Sequence, residues 1–348
     1  MVQKRATVRD IARHAGVSVA TVSRVTRDDP RVTDETRARV QASIEALEYR
    51  PSPLGQSLAY GRYGIIGVVL PGLGGPYFAE LIQGIDEICA DQGVAINVLA
   101  THLRRDAMVA VRDLAERTDG ILVFADGLDG GQLKALAERH RIVVVNGEPD
   151  GLARVHVDGR SATFALTTHL VADHGYTSLR FLGAAVDSPD ISARYEGFTQ
   201  ALAAHGLQEA APLLHYGLEQ RYGALAAREL VARGDLPRAL VCANDELAMG
   251  VLAVLPGLGY RVPDDLAIVG FDDIPIAGLA SPALTTVHQP IRRLGLEAAT
   301  LLLAAVEGDA TSLTDRLIEL PTQLVIRQSC GCPAPSPSTT TTFQDRDD

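Results

Sequence analysis

No run of about 18 apolar residues, the length a membrane-crossing helix needs, occurs in the 348-residue chain. A spanning protein is thereby excluded on hydropathy. The opening residues, MVQKRATVRD, also lack the apolar core of a secretory signal, so a cytoplasmic protein is expected. Cysteine is scarce, with only Cys89, Cys242, Cys330 and Cys332 present. Four thiols at these spacings do not form a metal-ligand pattern and read as incidental thiols of a reducing compartment. The C-G-C near the carboxyl end is a weak zinc or redox hint, and no metal or cofactor is expected. Signatures of catalysis are missing too. There is no nucleophile elbow and no H-E-x-x-H, and the nine histidines are scattered without paired partners at usable spacing, so an enzyme is not expected. The glycine-rich GLGG (72–75) has neither the G-x-G-x-x-G spacing nor the lysine of a P-loop, which excludes dinucleotide and nucleoside triphosphate binding. No heptad repeat near the carboxyl end signals a tetramer-forming helix, which favours a dimer.

What the chain does have is length for two to three domains and an apolar content of 47%. Its net charge of −11 speaks against nucleic acid as an average, but the charge is divided unevenly. Residues 1–62 carry 11 Lys and Arg against 7 Asp and Glu, a net of +4, whereas the remainder carries 21 against 36, a net of −15. A basic head on an acidic body would be oriented toward a polyanion by repulsion of the rest.

Within that head, residues 7–24, TVRDIARHAGVSVATVSR, have the marks of a helix-turn-helix. Thr7 and Asp10 form a capping-box pattern, and Val8, Ile11, Ala12 and Ala15 share one helical face. Gly16 supplies the positive φ of a helix end, Val17 plugs the angle between helices, and Ser18 caps the second. With Val22 and Val25 turned inward, Val19, Ala20, Thr21, Ser23 and Arg24 face out. Small residues let a backbone lie deep in a major groove. Val19 or Ala20 can touch thymine methyls, and Arg24 can pair with guanine O6 and N7. The hydroxyls of Ser18, Thr21 and Ser23 suit phosphate oxygens. Thr33, followed by Asp34 and Glu35, starts a third helix that carries Val40, Ile44 and Leu47 inward. Beside it Arg27, Arg31 and Arg37 are candidate phosphate contacts.

These residues, with VTDETRARV (32–40), IEALEYRPS (44–52) and SLAYGR (57–62), resemble the DNA-binding head of the lactose repressor family of bacterial regulators. The likeness continues in VDG (157–159), SARYEGF (192–198), ANDELAMG (243–250), VPDDLAIVGFDD (262–273) and SPALTTVHQP (281–290). It implies a head over 1–50, a hinge over 51–62 and an effector-binding and dimerisation domain over 63–332; the tail over 333–348 falls outside the likeness, and its Pro, Ser and Thr content reads as disordered. The hinge starts well, with Ser52 as cap and Pro53 at the first helical position, but Gly55 and its shortness weaken a lone helix. By resemblance it becomes helical when two subunits pair over the minor groove, with Leu58 as the wedge between base pairs and Ala59 beside it. Thr7 and Thr33 join the DNA-contact set on the same grounds.

The body is expected to be α/β. GIIGVVL (64–70), VAINVLA (94–100), GILVF (120–124) and IVVVN (142–146) are apolar runs of the kind found in parallel strands covered on both faces. The rhythm restarts with SLRFLG (178–183), ALVCA (239–243) and LAIVGF (266–271), giving two doubly wound parallel-sheet subdomains. The resemblance implies the lobes of periplasmic sugar-binding proteins, the first about 63–159 and 291–320, the second about 160–290 and 321–332. Ligands bind beyond the carboxyl ends of such strands. Arg194, Asp272 and Asn244 are implied effector contacts by resemblance, with Asn146 and Asp158 matching pocket positions that vary more. Tyr77, Phe78 and Phe124 would supply a stacking surface. An Arg among carboxylates and amides suits vicinal hydroxyls, so the expected effector is a sugar rather than a nucleoside or purine. The expected partners are operator DNA, that effector and a second copy of the chain, with no membrane. A solute-binding protein with no DNA role would leave the first 60 residues unexplained.

Overall fold

The computed structural model describes residues 6–26, 29–49, 62–124, 126, 128–147, 151–183, 188–211, 214–308, 313 and 316–333. The chain divides into two compact units, Met1–Gly64 and Ile65–Asp348. Arg27, hinge residues 51–61 with Leu58 and Ala59, and the tail from residue 334 lie outside the described residues.

The head holds three helices, α1 (Val8–Ala15), α2 (Val19–Val25) and α3 (Asp34–Ala46). Ile11, Ala12, Ala15, Val22, Val25 and Val40 form its buried core, and Val8, Val17, Ile44 and Leu47 pack on the rim. Each helix begins on the expected hydroxyl: Asp10, Thr21 and Thr36 donate backbone N–H groups to Thr7, Ser18 and Thr33. The α1–α2 turn depends on Gly16 at φ 64°, where an added Cβ would meet nothing within 4 Å. A Gly16→Ala change therefore brings left-handed strain without a clash. We expect a loss of about 1 kcal/mol from the head, read as a lower urea midpoint of the head transition; an unchanged midpoint would contradict the assigned turn.

In the body a six-stranded sheet has the order β10-β5-β4-β3-β1-β2. Its strands are β1 (Ile65–Leu70), β2 (Ala95–Ala100), β3 (Ile121–Val123), β4 (Ile142–Val145), β5 (Ala153–Val157) and β10 (Leu317–Leu320), all parallel. A second parallel sheet runs β6 (Leu179–Leu182), β7 (Ala239–Cys242), β8 (Ala267–Val269), and β9 (Thr286–His288) pairs antiparallel with β11 (Gln323–Val325). The helices between them are α4 (Pro76–Asp91), α5 (Ala107–Ala115), α6 (Gly130–Ala137), α7 (Gly159–Ala172), α8 (Pro189–Ala204), α9 (Gln220–Arg233), α10 (Asp245–Val254), α11 (Pro275–Leu279) and α12 (Ile291–Glu307).

Strand alternation splits the first sheet's side chains between two cores. Ile66, Val68 and Leu70 face α4 and α12, while Val69, Ile121 and Val123 face the side bearing Met108, Val111 and Leu133. Two doubly wound parallel-sheet subdomains are thus present. VAINVLA departs from expectation, because β2 is an edge strand and most of its residues are exposed or half-buried. Strand β5, ARVHV, gave no sequence signal, since Arg154 and His156 interrupt the apolar run. In the second lobe a single core of Leu179, Phe181, Phe198, Val241, Ile268 and Phe271 lies among α7 to α10.

Candidate functional site

In the head, Ser18, Val19, Ala20 and Arg24 are exposed or half-exposed, and Thr21 and Ser23 are half-exposed, so α2 presents the expected surface. Val19 leaves 43% of its surface to solvent, a large fraction for an aliphatic side chain unless something covers it. The hydroxyls of Thr7, Ser18 and Thr33 serve as caps, and Ser18 shares a 2.9 Å hydrogen bond with Thr21. They thereby satisfy backbone N–H groups that the first turns of α1, α2 and α3 would otherwise leave without an acceptor. Arg31 is exposed but held by a two-point contact to Asp29, at 3.0 and 2.7 Å. Arg31 holds the Asp29 carboxyl far below the usual carboxylate range. Its charge is already compensated, which weakens it as a phosphate contact.

In the body a cavity of about 430 Å³ opens between the lobes, beyond the carboxyl ends of β1, β3, β7 and β8. Among the eight residues expected in it, Tyr77, Phe78, Phe124, Arg194, Asn244 and Asp272 line it. Asn146 stands behind the wall and donates to the Tyr77 hydroxyl at 3.0 Å. Asp158 does not line it: it caps α7, accepting from the Ser161 N–H at 2.9 Å.

Three rings make the first lobe's wall, each edge-on to the next, with centroids 5.3 Å (Tyr77 and Phe78), 5.5 Å (Phe78 and Phe124) and 6.1 Å (Tyr77 and Phe124) apart. Arg194 reaches in from α8 in the second lobe. Its guanidinium donates to the Ala243 carbonyl at 2.6 Å and to Asp190 at 2.5 Å, and lies 3.5 Å from Asp272. It also covers the Phe271 ring at 3.8 Å. Burial disfavours its charge, but Asp190 and Asp272 outweigh burial and raise its pKa. The arginine Nε has no hydrogen-bond partner among the described residues. Burial pushes the Asp272 carboxyl up, against the pull of Arg194, and Gln289 donates to it at 2.5 Å. Asp272 sits at φ 120° and Asp273 at φ 60°. Such strain in non-glycine residues gathers at ligand clamps. Asn244 caps α10, with its Oδ1 accepting from the Leu247 N–H at 3.0 Å.

Sequence reasoning missed much of the polar lining: His102, Asp126, Asp190, Glu219 and Glu246. Asp190 carried a usable signal, since it precedes Arg194 by four residues on one helix and so shares its face. Asp126 and Glu219 stand in loops, where no periodicity marks them.

A family model described as "Bacterial regulatory proteins, lacI family" matches residues 7–52, and one described as "Periplasmic binding protein-like domain" matches residues 167–330. The HTH-type transcriptional repressor PurR of Photobacterium profundum is 32% identical over 334 residues, covering 93% of this chain and 98% of that one. This chain belongs to the lacI family of bacterial regulatory proteins. Among solved structures, the lac repressor dimer bound to operator and the anti-inducer ONPF is similar with a TM-score of 0.80 and 25% identity, over 94% of this chain and 99% of that one. The transcriptional regulator CelR in complex with cellobiose matches with a TM-score of 0.68 and 25% identity, over 93% of this chain and 100% of that one. As a lacI-family repressor the chain binds DNA and regulates transcription in response to a small molecule. None of the described helices is long and apolar enough to cross a membrane.

The cleft of this lacI-family chain is acidic, and one carboxyl gives a pH test. Burial, aided by Asp190, pushes Asp126 from 3.8 to about 7, against the hydrogen bond from Ser188. A folded value above the unfolded one means stability that is complete below about pH 4 and is lost as pH rises through about 7. Thermal melts of the body between pH 4 and 8 should therefore fall less steeply for Asp126→Asn than for the parent; parallel slopes would count against an unusually protonated Asp126.

Proposed function

We propose that the chain is a cytoplasmic repressor that binds a palindromic operator as a homodimer, with operator affinity set by a sugar held between the lobes. The observation that carries the sugar reading is the clamp of Arg194 between Asp190 and Asp272, opposite the three-ring wall. Carboxylates and a planar guanidinium exchange paired hydrogen bonds with adjacent hydroxyls, and an aromatic wall takes the apolar face of a sugar ring. Five carboxyl groups line the cavity, Asp126, Asp190, Glu219, Glu246 and Asp272, against one arginine, and even with Asp126 and Asp272 partly protonated the lining holds more negative than positive charge. That balance disfavours an anionic ligand. The cellobiose of the CelR complex is in keeping with this choice.

A nucleobase is the second reading, favoured by the same three rings as a stacking surface. A thermal-shift panel of neutral sugars, nucleosides and purine bases on the full chain separates the two, because a ligand of the folded state raises its melting temperature by mass action. Stabilisation by bases alone would replace the sugar.

The dimer would form along the first lobe's β2 edge and α5, where Val98 and Val109 are 42% and 48% exposed. Ligand closure of the lobes would alter how two first lobes meet, with the linker 51–62 as the expected point of coupling to DNA. On the DNA side, Arg24→Ala should weaken operator binding by about 1–3 kcal/mol and relax preference at one base pair per half-site. Selection from a random palindrome library checks this: an identical consensus for both proteins would remove Arg24 from base reading.

A further inference from the structure

We propose that His169, His174, Cys330 and Cys332 are the four ligands of a structural zinc ion, which fixes the end of the body to helix α7. The scattered histidines and incidental thiols read from the sequence are here brought together by the fold. His169 lies in the last turn of α7 and His174 just beyond it, while Cys330 and Cys332 follow β11. Their four ligand atoms all lie within 4.8 Å of one another.

Four of the six ligand–ligand distances match the edges of a tetrahedron of the right size. Zinc bonds of about 2.0–2.1 Å to nitrogen and about 2.3 Å to sulfur give tetrahedral edges of about 3.3 Å between nitrogens and about 3.6 Å between nitrogen and sulfur. The two histidine Nε2 atoms are 3.3 Å apart. His169 Nε2 lies 3.5 Å from Cys330 Sγ and 3.8 Å from Cys332 Sγ, and His174 Nε2 lies 3.4 Å from Cys332 Sγ. H-x4-H fits zinc-ligand spacing, whereas C-x-C is one residue tighter than usual. Gly331 makes that tightness possible at φ 112°, and a Cβ there would press on the Tyr176 hydroxyl and the His174 ring.

The surroundings suit a metal as well. Asp173 Oδ2 is 2.7 Å from His169 Nδ1, the carboxylate–histidine relay that orients metal-bound imidazoles and fixes their tautomer. His174 is stacked on Tyr176, whose hydroxyl donates to the Cys330 carbonyl at 2.9 Å. Binding releases the two thiol protons and sets two thiolates against one dication, so the half-buried site gains no net charge. With four protein ligands the shell is closed, as in structural rather than catalytic zinc sites.

The test uses the full chain, expressed without a histidine tag and purified without chelator. Elemental analysis should find about one zinc per chain. Exchange into cobalt(II) should give the intense visible absorption of a tetrahedral ion together with a thiolate charge-transfer band. Cys332→Ser, at a half-buried position, should lose both signals while its circular dichroism stays native; Cys89→Ser should keep both. As the positioning residue, Asp173→Asn should bind zinc about 10–100-fold more weakly with the cobalt spectrum retained. Substoichiometric metal with no tetrahedral cobalt spectrum would overturn the site. So would thiol titration showing Cys330 and Cys332 joined as a disulfide in the freshly purified chain, or copper in place of zinc.

Discussion

Arg194→Ala is expected to cost the body about 3–5 kcal/mol of stability and to abolish its response to ligand. Removing the guanidinium leaves Asp190 and Asp272 facing each other in a buried site with no cation between them. The side chains of Arg194, Asp190 and Asp272 are only 4%, 9% and 5% exposed, so water can do little to replace the lost charge. The Ala243 carbonyl loses its donor at the same time, and the Phe271 ring loses its cover. Denaturant unfolding of the body measures the first effect, and thermal shift with the stabilising ligand measures the second. The pH dependence of the variant carries a further signature. With the pull of the cation gone, the Asp272 carboxyl, already pushed up by burial, should titrate higher still, so the stability deficit should shrink as pH falls toward 5 and that group takes up its proton. A deficit independent of pH would mean that Arg194 acts through packing alone.

Gly84→Ala is the second large effect. Helices α4 and α12 cross so closely that a Cβ on Gly84 would overlap the Arg292 carbonyl, and one on Gly295 would overlap that of Leu81. Backbone cannot swing away as a side chain can, so the two helices must part along their whole contact. We expect a loss of about 3 kcal/mol, the upper part of the usual range for overpacking, visible as a lower urea midpoint of the body. Gly295→Ala should cost a similar amount. Because either change alone already separates the same helices, the double variant should cost less than the two added together. Strict additivity would place the strain elsewhere.

Much of this molecule could be read from the chain because its signals were local. The head needed only the spacing of Thr7, Asp10, Gly16 and Ser18 and a short apolar stripe, and both caps and turn form within a few residues of one another. The strands flanked by helices on both faces were equally plain, since burial on two sides demands unbroken apolar runs. Strand β5 hid behind Arg154 and His156, and β10 and β11 were too short and half-exposed to stand out. In the cleft, Arg194 and Asp272 came from motif resemblance, and the rings from their position after strands. Asp126 and Glu219 could not be found that way, because a loop residue acquires its place only when two lobes close around it. The His and Cys cluster failed for the same reason. Its two halves lie at opposite ends of the second lobe's sequence, and neither pair alone has the spacing of a complete metal site.

Operator affinity of the full chain, measured by fluorescence anisotropy with and without a saturating amount of the ligand found in the thermal-shift panel, tests most directly that the cleft governs DNA binding. The expected result is a change of about tenfold or more, a coupling free energy of about 1.4 kcal/mol, that disappears in Arg194→Ala while its ligand-free operator affinity stays near that of the parent. Equal affinity in the presence and absence of a ligand shown to occupy the cleft would contradict it.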